Sequence, residues 1–169
     1  MRILGAFLLL TALPAVSSSS RVDELATPTA IRTCMESPPL RGYRVDPRVN
    51  PYYLRGDFDG DNKADYAVMI IRPKREPSGL AICQGDGRIF VLGAGSEPKF
   101  STKKDDNFLS SNWEVLTQAK FREYACDKKK GALARGEVIS LNWEDGTGFV
   151  FYNGSQYRWF EEPAGCPAS

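Results

Sequence analysis

The residues best placed to do chemistry are four carboxylates in one stretch of nine, Asp57-Phe58-Asp59-Gly60-Asp61-Asn62-Lys63-Ala64-Asp65. Asp57, Asp59, Asp61 and Asp65 stand at positions 1, 3, 5 and 9 of this stretch. That spacing suits a hard cation: Ca²⁺ takes six to eight oxygen ligands, and alternate side chains of a tightly wound loop converge on one point. Lys63, at position 7, would offer its backbone carbonyl and leave its side-chain charge in water. Gly60 permits close winding, and Asn62 is among the few non-glycine residues that tolerate a left-handed backbone. The expected ligand set is therefore Asp57, Asp59, Asp61, Lys63 and Asp65, and the expected ion is Ca²⁺. The competing reading makes the same aspartates Asx-turns and a polar cap on the next strand. Crowding four carboxylates against a single lysine favours the cation.

An EF-hand would place a bidentate Glu at position 12 and run on into a helix. Here position 12 is Val68, inside the apolar run Tyr66-Ala67-Val68-Met69-Ile70-Ile71. That run favours a buried strand, so the loop opens a strand. Residues 56–68, Gly-Asp-Phe-Asp-Gly-Asp-Asn-Lys-Ala-Asp-Tyr-Ala-Val, resemble the calcium loop of FG-GAP/VCBS-type repeats, found in integrin-like propellers and many secreted bacterial proteins. The resemblance covers about a dozen residues and implies calcium binding. Asn62 departs from it, because the family usually has Gly there. A single copy does not imply a propeller.

Other chemistry is narrowed by what the chain lacks. It has no histidine. Ser-His-Asp and Cys-His arrangements cannot be built, nor can an HExxH zinc site. No phosphate-binding GxxxxGK[ST] loop is present. Carboxylate-only catalysis survives, since glycosidases use two acids about 5–9 Å apart. Glu114, Glu137, Glu144 and Asp145 are the candidates, with Glu144-Asp145 expected in an exposed turn. Trp113, Trp143, Tyr152, Tyr157 and Trp159 either line a recognition face or pack a small β core.

These residues must be held by elements that the pattern also predicts. Thr27-Pro28 opens a short amphipathic helix over about 28–37, with Ile31, Cys34 and Met35 on one face. Tyr52-Tyr53-Leu54 reads as a short strand before the acidic loop. The continuous apolar run 66–72 implies a central strand buried on both faces. Segments 79–84 and 88–92 form a hairpin about Gly85-Asp86-Gly87, and 93–107 is loop. Trp113 to Thr117 is a strand, whereas 118–126 fits neither period. Glu137 to Trp143 alternates Val138/Ser140/Asn142 with Ile139/Leu141/Trp143. With 148–152 and 156–160 flanking Asn153-Gly154, it makes a three-stranded meander. The expected fold is mainly β (α+β), an antiparallel meander sheet of about 7–8 strands with a short N-terminal helix.

Met1-Arg2, the apolar run Ile3 to Leu10 and the small-x-small pattern Ala15-Val16-Ser17 read as a signal peptide over 1–20. Residues 21–169 are then one secreted β-rich domain carrying the loop 57–65. The chain has 22 Lys+Arg and 21 Asp+Glu, and losing Arg2 with the leader balances the two. Near-neutral charge speaks against a nucleic-acid or anionic-membrane binder. Four cysteines, Cys34, Cys83, Cys126 and Cys166, suggest two disulfides in an oxidising compartment. Three pairings are possible, and Cys34–Cys83 with Cys126–Cys166 is favoured because it would pin the helix and the tail. A Cys₄ zinc site is the alternative, disfavoured by the lack of any C-x-x-C. The expected protein is an exported, periplasmic or secreted, monomeric, non-catalytic calcium binder. It would serve as a binding or inhibitory module for a protein or glycan. A carboxylate-based polysaccharide hydrolase is the alternative.

Overall fold

The strand that follows the acidic loop, Asp65–Ile71, is the centre of the first sheet. The computed structural model describes residues 27–73, 77–96, 100–102, 107–110, 112–125 and 133–163. In chain order the elements are α1 (Thr29–Met35), β1 (Arg44–Val45), β2 (Tyr53–Gly56), β3 (Asp65–Ile71), β4 (Ser78–Cys83), β5 (Ile89–Gly93), β6 (Asn112–Leu116), α2 (Gln118–Tyr124), β7 (Val138–Trp143), β8 (Gly146–Tyr152) and β9 (Tyr157–Pro163). A 3-10 turn, Pro38–Leu40, follows α1. The proline pair ends the helix as its missing N–H groups require.

Among the described residues every strand pairing is antiparallel. In the first sheet β1 and β2 lie end to end along one edge of β3, β4 lies along the other, and β5 closes the sheet. The second sheet is the simple meander β6-β7-β8-β9. The chain is thus mainly β and antiparallel as expected, with nine strands among the described residues. They divide into two sheets rather than one meander. The C-terminal meander predicted from the turn signals gains β6 as a fourth strand.

Side-chain alternation sorts the residues into three apolar layers. Ala67 and Met69 of β3, Leu80 and Ile82 of β4, Ile139 and Leu141 of β7 and Val150 of β8 meet between the sheets, joined by Phe58 from the acidic loop. On the outer side of the first sheet, Val68, Ile70, Ala81 and Cys83 pack against Ile31, Cys34 and Leu40. The double burial of β3 is what its unbroken apolar sequence demands. Phe121 of α2 covers Val138, Phe149, Phe151 and Phe160 on the outer side of the second sheet. The layers therefore run α1, sheet, sheet, α2.

Cys34 and Cys83 are joined by a disulfide, as favoured. It fastens α1 to the end of β4. Cys126 and Cys166 lie outside the described residues, as does the expected signal peptide. Among the described residues no helix is long and apolar enough to cross a membrane.

Candidate metal site

The acidic loop is anchored at three points before any ion is considered. Phe58 is fully buried between the sheets and plugs the loop into the core. At one end, Asp57 exchanges two hydrogen bonds with Glu137 just ahead of β7. The Asp57 amide donates to Glu137 Oε2 at 2.9 Å, and the Glu137 amide donates to the Asp57 carbonyl at 2.7 Å. At the other end, fully buried Asp65 accepts from the amides of Phe58 at 2.8 Å and Gly85 at 2.7 Å. One carboxylate thus closes the loop on itself and ties it to the β4–β5 turn.

Within this frame the backbone winds as the sequence suggests. Gly60 and Asn62 both take positive φ, 79° and 65°. A side chain at Gly60 would lie 2.5 Å from the Arg135 carbonyl oxygen, so only glycine fits. Asp57 Oδ1 accepts from the amides of Gly60 and Asp61, and its Oδ2 from that of Asn62. Asp59 Oδ1 accepts from Asp61 N, and Asp61 Oδ1 from Lys63 N. The Asx-turn description is therefore correct in its hydrogen bonds, and it coexists with convergence of the side chains.

Asp57, Asp59 and Asp61 each place a carboxylate oxygen within 4.8 Å of the others. Two oxygens on opposite sides of a Ca²⁺ ion, each at about 2.4 Å, are about 4.8 Å apart. The three carboxylates fit one hard cation by that measure. The geometry does not bring Asp65 into this group; its two oxygens point to the amides of Phe58 and Gly85. Lys63 sits at the exposed rim, its side chain largely in solvent with Nζ 2.8 Å from Asp61 Oδ2.

The charges on the three carboxylates are unequal. Burial pushes the Asp59 carboxyl above its ordinary value, and the neighbouring Asp61 and Asp57 charges push the same way. The Asp61 amide and the Arg88 charge offset this only in part. Asp61 is held below its ordinary value, first by its hydrogen bond from Lys63. Burial also raises Asp65, against the opposing bonds from Gly85 and Phe58. Arg88 of the β4–β5 hairpin was not anticipated. Its Nη2 donates to Asp59 Oδ2 at 2.9 Å, its Nε to Asp86 Oδ2 at 2.6 Å and its Nη1 to the Tyr152 hydroxyl at 3.1 Å. Lys63 and Arg88 therefore supply two positive charges against the three carboxylates.

The acids considered for hydrolysis are dispersed. Glu114 is exposed on β6, Glu144 and Asp145 form the exposed β7–β8 turn, and Glu137 is spent on Asp57. The five aromatics are chiefly core residues. Trp113, Tyr152 and Tyr157 are buried, Trp143 and Trp159 are half-buried, and all five belong to or pack on the inter-sheet layer. Comparison with protein-family models, curated proteins and solved structures finds no match to the chain.

Proposed function

We propose that this chain is an exported, non-catalytic calcium-binding protein, a binding or inhibitory module for a periplasmic or extracellular protein or glycan. The observation that carries the reading is the convergence of Asp57, Asp59 and Asp61 on a loop whose backbone is already fixed. Asp57, Asp59 and Asp61 would hold the ion, with Lys63 giving its backbone carbonyl. The ion would supply charge neutralisation and rigidity, not a reactive group. Asp59 is the pivotal ligand: its side chain is only 3% exposed, and Arg88, its one ion-pair partner among the described residues, is shared with Asp86. Ca²⁺ would replace Arg88 and Lys63 as counter-charge.

The disulfide agrees with an oxidising compartment. Among the described residues, Glu114, Glu137 and the Glu144-Asp145 turn lie on different elements and Glu137 is engaged with Asp57, which favours the non-catalytic role over the hydrolase reading. The test is thermal unfolding in calcium and in chelator. Calcium should raise Tm by several degrees, as a ligand in excess over its Kd does. Asp59→Ala should abolish the rise. Identical melting curves for the wild type in both conditions would remove the metal from the account.

A further inference from the structure

Arg135 gives its carbonyl to the packing of the acidic loop and its side chain to a separate cleft. That cleft, of about 410 Å³, is lined by Gln118, Arg122, Leu133, Ala134, Arg135 and Asn153. Two of these residues carry guanidinium groups and none carries a carboxylate. The Arg135 side chain is exposed and, among the described residues, makes no ion pair. Its position is braced. Gln118 Nε2 donates to the Arg135 carbonyl, while Gln118 Oε1 accepts from Arg122 Nη2 at 3.1 Å. Asn153 commits its side-chain oxygen to Ser155 N, Ser155 Oγ and Gln156 N. Its amide NH₂ is left with no hydrogen bond to another described residue. Leu133 is 55% exposed and gives the cleft an apolar lip.

An unpaired guanidinium presents a planar fork of donors that matches carboxylate and phosphate oxygens two at a time. Here the fork stands beside a second arginine and an amide donor, with no acid among the described lining residues to compete. We propose that this cleft binds the oxyanion group, carboxylate or phosphate, of a small ligand whose apolar part rests on Leu133. The proposal does not rest on an ion in the neighbouring metal loop.

The experiment is a two-dimensional amide NMR titration of the disulfide-intact chain with inorganic phosphate and, separately, with benzoate. Sodium chloride at matched ionic strength is the blank. At least one probe should give saturable shifts centred on Leu133–Arg135 and Asn153–Gly154. Arg135→Gln should weaken that binding about tenfold or more, the usual worth of a charge-assisted hydrogen bond. Arg122→Gln should weaken it as well, and Arg41→Gln, at an exposed site on the other sheet's side, should leave it unchanged. Arg135 is exposed, so its variant should keep the wild-type spectrum away from the cleft. Shifts that follow the chloride blank for both probes, or equal affinity in wild type and Arg135→Gln, would overturn the proposal.

Discussion

Asp46 and Asp65 are both fully buried, yet their surroundings act on them in opposite directions. Asp65 has only backbone amides as partners, and burial raises its carboxyl. Burial pushes Asp46 up too, but its bonds from Arg48 and Ser78 outweigh that and hold it below its ordinary value. Arg48 grips it through Nε at 2.9 Å and Nη2 at 2.7 Å, and the Ser78 hydroxyl also donates to it. A carboxylate depressed in the folded state contributes stability above its unfolded pKa, and that contribution is lost as pH falls through the folded value. The window therefore lies below about pH 4, the ordinary aspartate range. Asp46→Asn should cost about 1–3 kcal/mol at neutral pH, the scale of bonds to a charged group. Urea unfolding should show the difference from wild type shrinking below about pH 4. A pH-independent difference would mean that packing, not charge, sets the role of Asp46.

At the scale of elements, the segment before β7 holds the acidic loop in place, and the disulfide ties α1 to β4. A side chain at Gly136 would collide with the backbone of Asp57, Phe58 and Gly60. Gly136→Ala leaves every carboxylate intact, yet should lower stability by about 1–3 kcal/mol through overpacking and weaken calcium binding with it. Unfolding and calcium titration of that one variant check both effects, and wild-type values in both would show that the loop does not depend on its contact with 135–137. Replacing Cys34 and Cys83 together by Ser should cost about 2–4 kcal/mol. Hydrogen exchange should then show α1 opening before the sheets, because the bond is its covalent tie to β4.

The same scale shows what the sequence reveals and what it hides. The loop, the central strand, the alternation in β7 and the Asn153-Gly154 hairpin are local patterns and are readable. So is the pairing of Cys34 with Cys83, once α1 is placed against a strand. Segment 118–126 is not, because α2 buries only Phe121 and one buried residue makes no period. Its Thr117 cap, which accepts from Lys120 N at 3.3 Å, was the signal available. Alternation tells which side chains share a face, not which sheet lies opposite, so the split into two sheets is invisible. Arg88 and Glu137 are invisible at the metal site for a similar reason. They reach it from 29 and 80 residues away. Asp65 fits the ligand spacing, but its oxygens go to Phe58 and Gly85, a choice made by the turn packed beside it.

The whole molecule is a pair of stacked sheets with a helix on each outer side, and Phe58 carries the acidic loop into the layer between them. An ion on Asp57, Asp59 and Asp61 would therefore stabilise the sandwich rather than a detached turn. Binding to the folded state alone transmits its free energy to global unfolding. The most direct measurement is isothermal calorimetry of the chelator-stripped, disulfide-intact chain with calcium chloride, beside Asp59→Ala. The account predicts one saturable site in the wild type and none in the variant. A wild type that takes up no calcium at millimolar concentration, or a variant that binds as well as the wild type, would contradict it.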